Sequence, residues 1–414
     1  MRATTIGIVL AFVAACAGED VADVEDGPKD DAPAADARKG VVWGIAEGSP
    51  DAIGVLRVAN ELSQVDLHAR VGMTTTSARN IASYRAGVDG TPGTADDRTF
   101  ATLHELDLVP YVGKSTFAHL LAFARANGYV PSPDGAIRTV FLIVMENQSW
   151  SAIHGSSDAP YVNGTLLPMA SYADAYYNPP ASHPSEPNYL WLEGGTNFGV
   201  TSDADPATNH VASHAHLAKL LDDANIPWRT YQEDIAGTDC PLVSHGDYAA
   251  KHDPFVFFDD LTGGGSAADA GCIAHNRPLP ELAADLAAGT VARYNFITPN
   301  LCDDMHDSCA PTHNKKKQGD DFLAAWVPKI LASRAWQDGG VLFITWDEAG
   351  LFGGDGPIGM IVLSPLAKGN GYHNQIRYSH SSTLRTLEEI FGVSPMLGDA
   401  AHATDLADLF STFP

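Results

Sequence analysis

The sequence predicts an α/β protein, a mostly parallel sheet sandwiched by helices, with a small all-α domain ahead of it. Three observations predict this. From about Arg138 onward, short β-branched and apolar runs at 140–145, 291–297, 341–346 and 358–363 alternate with helical stretches at 212–224, 322–335 and 382–391. That alternation is the pattern of strands buried on both faces and crossed over by helices. Between residues 40 and 131 the pattern is helical and repeats itself. The length of 414 residues, with charged residues at 18%, suffices for two or three domains and at least one large core.

The N-terminus reads as an address. Arg2 precedes an apolar run at 5–15 that is too short to span a bilayer comfortably. The run ends Val13-Ala14-Ala15-Cys16, and small residues before a cysteine resemble a bacterial lipobox in which Cys16 is acylated. An ordinary cleaved signal peptide is the alternative. Residues 1–16 are therefore expected to be a lipoprotein signal peptide. Acylation would anchor the chain to the membrane rather than thread it through. Residues 17–39, rich in Asp, Glu, Ala and Pro, hold almost nothing to bury and read as an acidic disordered linker. The expected location is the bacterial cell envelope, exported and lipid-anchored, facing periplasm or exterior. A net charge of −26 repels polyanions, so nucleic acid is not an expected partner. Without Cys16, four cysteines remain: Cys240, Cys272, Cys302 and Cys309. They allow two disulfides in three connectivities, with pairing between neighbours the expected one. The chain has no CxxC pattern, which argues against a structural zinc site.

The helical domain, residues 40–131, carries a repeat at a constant offset of 41 positions. Leu67, Val71-Gly72 and Gly87 recur as Leu108, Val112-Gly113 and Gly128. Each copy predicts an apolar lead, a Val-Gly turn and an amphipathic helix, at 75–85 and 115–126, with a preceding helix at 52–62 packed on both. The pattern resembles paired helix-hairpin-helix units, whose glycine turns often hold DNA phosphates on backbone amides. Asp89, Asp96, Asp97, Glu105 and Asp107 between the copies, and the expected export, point instead to a packing or protein-contact module. The stretch 89–97 lacks the acid spacing of an EF-hand and reads as a turn-rich loop.

In open α/β sheets, sites lie outside the carboxyl ends of the strands. The run 140–145 ends in Glu146-Asn147-Gln148-Ser149, and the run 341–346 ends in Asp347-Glu348. Carboxylate and amide oxygens together suit a hard divalent cation. Either cluster alone reads equally as a cap or a turn; their shared position at strand ends favours one site. A third segment is His183-Pro184-Ser185-Glu186-Pro187-Asn188-Tyr189. Ser185 reads either as a helix N-cap or as a nucleophile at a helix start, where backbone N–H groups also favour phosphate. A metal would lower its hydroxyl pKa. With 16 histidines in the chain, a lone one is usually a surface or capping residue. His210 and His214, at i and i+4, would share a helix face and read as a surface stripe without an acid partner. His380 opens a helix, as a cap or as a functional group.

These segments together resemble the phosphoesterase family of bacterial phospholipases C and acid phosphatases, within the alkaline-phosphatase superfamily. The landmarks, in order, are Val144-Met-Glu146-Asn147-Gln-Ser149, His183-Pro-Ser185-Glu-Pro187-Asn188-Tyr, His252-Asp-Pro-Phe, Thr298-Pro-Asn300-Leu-Cys302-Asp-Asp304-Met-His306-Asp307, Thr345-Trp-Asp347-Glu348, and Tyr378-Ser-His380-Ser-Ser-Thr-Leu-Arg385-Thr-Leu-Glu388. The resemblance covers about 270 residues and makes 138–414 the catalytic domain, with an alkaline-phosphatase-like fold. It implies one divalent metal ion (Ca, Mg, Mn or Zn) held by Glu146, Asn147, Asp347 and the Ser185 oxygen, with Glu348 a ligand or a base behind the ligands. Two-metal members of the superfamily place Asp-His where this chain has Asp347-Glu348, which implies a single metal here. Ser185 would attack phosphorus and form a phosphoserine. His183, His252 and His306 would bind phosphate oxygens or protonate the leaving group, with Asp304 orienting one of them. The expected activity is hydrolysis of phosphate monoesters. The alternative is a phospholipase C-type diesterase, which the absence of extra C-terminal β domains disfavours. A non-catalytic surface protein with a relic fold is a third reading, opposed by Glu146, Asn147, Ser185 and Asp347 standing together.

Overall fold

The structure, a computed structural model, describes residues 40–126, 129–130, 136–180, 182–350 and 356–413. The chain forms two compact units, one up to residue 131 and one from 132 onward. The expected leader with Cys16, the acidic stretch 17–39 and Gly128 lie outside the described residues.

The first unit holds α1 (Pro50–Glu61), α2 (Gln64–Ala69), α3 (Thr75–Arg85), α4 (Leu103–Asp107) and α5 (Lys114–Ala126), after a short ribbon pairing Val41–Val42 with Ile45–Ala46. Each repeat is a short helix, a turn and a longer helix. Ser49, Ser63, Thr74 and Thr102 cap α1 to α4, each accepting a backbone N–H three residues on. Gly72 takes the turn between α2 and α3 at φ +81°, a left-handed conformation that suits glycine. Val55 and Val58 of α1 share one core with Leu67, Ile81, Leu106 and Phe117 from both repeats. The Arg85 guanidinium donates to the carbonyls of Ala59, Asn60 and Leu62, satisfying the end of α1.

The second unit is built on an eight-stranded sheet. Its strands are β1 (Thr139–Met145), β2 (Ser171–Ala173), β3 (Trp228–Gln232), β4 (Asn276–Pro278), β5 (Tyr294–Thr298), β6 (Gly340–Trp346), β7 (Met360–Leu363) and β8 (Tyr372–Asn374). The spatial order is β8-β2-β7-β6-β1-β5-β3-β4. The block β6-β1-β5-β3-β4 is parallel throughout, β7 runs against both its neighbours, and β8 is parallel to β2. Main helices are α6 (Ser185–Gly194), α7 (Leu217–Asp223), α8 (Leu279–Ala288), α9 (Lys315–Ala332) and α10 (His380–Phe391). Strands β1 and β6 are buried nearly end to end, as continuous apolar runs require. The mostly parallel α/β sheet is therefore the expected fold. Both disulfides, Cys240–Cys272 and Cys302–Cys309, follow the neighbour pairing.

Two helix expectations are corrected. The helix expected over 212–224 starts at Leu217, because the His216 ring caps it by accepting the Lys219 N–H. His210 and His214 therefore precede the helix and share no helical face. Nor do they lack acid partners: His210 meets Asp259 and His214 meets Asp260, at 3.1 and 3.3 Å. The helix expected over 322–335 begins at Lys315, capped by Asn314, and stops at Ala332.

Helices α6 and α10 each bury an acid. Glu193 accepts the Tyr294 hydroxyl at 2.7 Å, and burial pushes its carboxyl up to about 8. Glu388 accepts the Leu397 N–H at 2.7 Å and is pushed up to about 7. An acid whose folded pKa is raised stabilises the fold below the ordinary carboxylate range, and that stability is lost as pH rises through the folded value. The free energy of unfolding is thus expected to fall between pH 5 and pH 8. Glu193→Gln keeps an acceptor for Tyr294 and should flatten that fall by a few kcal/mol, because each tenfold change in proton affinity is worth about 1.4 kcal/mol. Urea melts of both proteins at the two pH values test this; a variant as pH-sensitive as the parent would refute it.

Candidate active site

Strands β1 and β6 are adjacent and parallel, with Met145 opposite Trp346. Their next residues, Glu146 and Asp347, therefore emerge side by side. The Asp347 N–H donates to the Met145 carbonyl at 2.9 Å. On the other flank of β1, the segment after β5 returns to the same edge, where the Glu146 N–H donates to the Asp304 carbonyl at 2.7 Å. Asn147 locks the two acids together. Its backbone is left-handed at φ +52°, which Asn tolerates better than most residues. Its N–H donates to Asp347 Oδ1 at 2.9 Å and its amide donates to Glu146 Oε2 at 2.6 Å.

Ser185 is the first residue of α6, with Pro184 in the cap position. It is not the N-cap; its hydroxyl donates to Glu146 Oε2 at 2.9 Å. Asn188, one turn on, fixes this helix start by donating to the Ser182 and Pro184 carbonyls and to Glu348 Oε2. Glu348 Oε2 also lies 2.5 Å from His183 Nδ1. Glu348 thus engages His183 and Asn188. Burial and the neighbouring Asp347 push its carboxyl up to about 7.

Glu146, Asp304 and Asp347 are fully buried. Burial, then mutual repulsion, holds Glu146 well above the carboxylate range. Burial also raises Asp304 strongly and Asp347 to about 6. The His252 ring stacks on Tyr189 at 5.1 Å and lies between two of these acids. Nε2 is 3.2 Å from Glu146 Oε1, and Nδ1 is 3.2 Å from Asp304 Oδ2. Burial drives its pKa down. This departs from the role the resemblance implied. A ring sealed between two carboxylates positions them and is not placed to touch phosphate. Asp304 Oδ2 faces the His252 ring, and Oδ1 accepts the backbone N–H of His306 at 2.6 Å. His380 is no cap either, since Ser379 takes that position. Its Nε2 donates to the Asp347 carbonyl at 2.6 Å, and its Nδ1 faces the Tyr176 hydroxyl at 3.1 Å. Burial lowers its pKa to about 4, so the neutral ring holds the end of β6.

Glu146 Oε1, Asp304 Oδ2, Asp347 Oδ2 and His252 Nε2 are buried without a well-directed hydrogen bond among the described residues. Clustered buried acids are costly while ionised, and a proton or a cation among them relieves that cost. The donor set fits a hard divalent ion. No three His, Cys, Asp or Glu side chains among the described residues form a ready-made cage. The set drawn from the sequence needs none: it pairs the carboxylates of Glu146 and Asp347 with the amide of Asn147 and the hydroxyl of Ser185.

Above Ser185 opens a cleft of about 630 Å³, lined by Asn147, Ser185, Lys251, His306, Lys315 and Glu348 among others. His306 lines the cleft, and its Nδ1 lies 2.8 Å from Asp307 Oδ1. Lys251 and Asp203 also line this cleft and were not foreseen. The available signal was Lys251 standing directly before His252.

Residues 166–394 match the Phosphoesterase family. The chain belongs to that family. It is 30% identical to a phosphatidylinositol-3-phosphatase of Mycobacterium tuberculosis over 278 residues, 66% of this chain and 82% of the relative. It is 26% identical to an acid phosphatase of Aspergillus fumigatus (52% of this chain, 47% of the relative) and to a probable acid phosphatase of Kluyveromyces lactis (61% and 58%). The chain thus spans about half the length of these acid phosphatases. Among solved structures, lipoteichoic acid synthase LtaP from Listeria monocytogenes is 13% identical, covering 66% of this chain and 77% of that one, at a TM-score of 0.44. An alkaline phosphatase superfamily protein from Vibrio parahaemolyticus is 12% identical, covering 67% and 73%, at 0.43. Likeness of that size adds nothing to the fold described above. This phosphoesterase is a hydrolase acting on phosphate esters.

One covalent link braces the site of the phosphoesterase. The Cys302–Cys309 disulfide closes the short loop that carries Asp304 and His306. A loop this small confers about 2.5 kcal/mol by chain entropy, less than the larger Cys240–Cys272 loop. A double Cys302→Ser, Cys309→Ser variant should lose about 2.5 kcal/mol of stability and, with the loop that carries Asp304 and His306 released, at least about tenfold in kcat/KM. Steady-state kinetics beside a thermal melt checks this, and full activity in the variant would contradict it.

Proposed function

We propose that this phosphoesterase hydrolyses phosphate monoesters through a phosphoserine at Ser185, beside one divalent metal ion. The observation that carries the reading is the Ser185 hydroxyl, placed at the start of α6 and hydrogen-bonded to Glu146 at the joined ends of β1 and β6. Glu146, Asn147, Ser185 and Asp347 would hold the ion. Calcium, magnesium, manganese and zinc all fit such a donor set. When bound, it would lower the pKa of the serine hydroxyl and neutralise phosphoryl oxygens. Asn147 and His380 keep the Asp347 end of β6 in place, and Asn188 keeps the helix start in place. Ser185 Oγ releases its proton along its hydrogen bond to Glu146 Oε2 and attacks phosphorus as the bond to the leaving oxygen breaks; the proton returns to Oγ when the phosphoserine is cleaved. His306, facing the cleft, passes a proton to that oxygen. Water then cleaves the phosphoserine and releases inorganic phosphate.

Relatives named as a phosphatidylinositol-3-phosphatase and as acid phosphatases support monoesters over the diesterase alternative. Comparing p-nitrophenyl phosphate with p-nitrophenyl phosphorylcholine decides between them. Faster turnover of the monoester is expected, and faster turnover of the choline diester would overturn the reading. The proposal includes export and a lipid anchor at Cys16. Two disulfides support an oxidising compartment. The hairpin-like first unit is proposed as a protein-contact module rather than a nucleic-acid binder, supported by the acids between its repeats and the net charge of −26.

A further inference from the structure

We infer that Lys251, tethered by Asp203, grips the terminal oxygens of the phosphoryl group beside Ser185 and sets the preference for monoesters over diesters. The inference rests on the phosphoester chemistry proposed above and adds a residue and a specificity to it.

Lys251 lies in a short 3-10 turn, Ala250–His252. Its neighbour His252 is sealed between Glu146 and Asp304, while Lys251 lines the cleft with Ser185 and Asn147. Lys251 Nζ is 2.8 Å from Asp203 Oδ2. Asp203 Oδ1 accepts the N–H of Glu186, the residue after Ser185, at 3.0 Å. One carboxylate therefore ties the ammonium to the first turn of the helix that carries the nucleophile. The Lys251 and Asp203 side chains are 21% and 27% exposed, partly withdrawn from solvent yet open to the cleft. Lys315, the other lysine of the cleft, stands at the start of α9.

A purely structural ion pair is the competing reading, and a pair still partly open to solvent contributes little to stability. Position favours the functional one. The ammonium opens on the cleft that Ser185 lines, and its carboxylate partner is tied to the first turn of the helix that carries Ser185. The pair is close to neutral overall, so what Lys251 offers is a local positive point held in a fixed place, which is how lysine serves phosphate. A diester has one terminal oxygen fewer and one charge fewer, so it gains less from such a contact.

The test uses the full chain and the variants Lys251→Met, Lys251→Arg and Asp203→Asn. Readouts are kcat/KM on p-nitrophenyl phosphate and bis-p-nitrophenyl phosphate, inhibition by inorganic phosphate, and a thermal melt. Lys251→Met should lower monoester kcat/KM about 100-fold and weaken phosphate inhibition at least about tenfold, while the diester falls less than about fivefold. Lys251→Arg should recover part of the monoester rate, and Asp203→Asn should fall between. If Lys251→Met fails to fold, Lys251→Arg and Asp203→Asn carry the same ratio test. Equal losses on both esters, or unchanged phosphate inhibition with a lowered melting temperature, would overturn the inference. Phosphate inhibition reads Lys251 whatever the nucleophile, whereas an active Ser185→Ala enzyme would fail the phosphoserine reading alone.

Discussion

Ser185→Ala is expected to lower kcat by at least about a thousandfold, with KM changing much less. The serine contributes a bond that forms only as the reaction proceeds, so its loss falls on turnover. Folding should survive. Ser185 Oγ is buried and donates a hydrogen bond to Glu146 Oε2, which the Asn147 amide still engages at 2.6 Å. Losing one buried hydrogen bond to a charged group costs about 1–3 kcal/mol. The fall in kcat is therefore expected without a matching collapse in melting temperature. Steady-state kinetics beside a melt separates the two, and a Ser185→Ala enzyme within tenfold of the parent would remove the nucleophile assignment.

The second large effect concerns the two strand-end acids. Asp347→Asn and Glu146→Gln should each cut activity by at least about a thousandfold. Each removes a charge from the set proposed to hold the ion. Asp347 Oδ1 anchors the Asn147 backbone, and Glu146 Oε2 accepts both Asn147 and Ser185. Losing either acid therefore loosens the groups around it as well. Chelation of the parent protein should abolish turnover, and one divalent cation should restore it. Elemental analysis should find one metal per chain in the parent and far less in Asp347→Asn. Two metals per chain would contradict the one-ion reading. Full activity in a metal-free protein would contradict metal dependence altogether.

Much of this site was legible in the sequence because its centre sits on the most legible strands. The runs before Glu146 and Asp347 are unbroken apolar stretches, readable as strands buried on both faces, and strand ends are where such sheets build sites. Strands β2, β3, β4 and β8 were not legible. They are short and carry polar residues whose burial depends on partners far along the chain; Gln232 in β3 is satisfied by Thr230 and Thr298. The landmark around His252 was visible, but not that one turn seals His252 among acids while Lys251 lines the cleft. That division depends on how the turn packs against Tyr189, more than sixty residues earlier. The misplaced helix start at 212 has a similar cause. Its signal is an imidazole cap at His216, which propensity alone does not reveal. Ser185 was read correctly as lying at a helix start, but which residue caps the helix depended on the geometry of Pro184.

The central claim is a phosphoryl group passing through Ser185. Its most direct test is to quench the enzyme during turnover of p-nitrophenyl phosphate and map the covalent phosphate by mass spectrometry. Phosphate on the peptide carrying Ser185, absent from the Ser185→Ala protein, is the expected result. Phosphate on a different residue, or a quenched enzyme without covalent phosphate while Ser185→Ala still turns over, would contradict it.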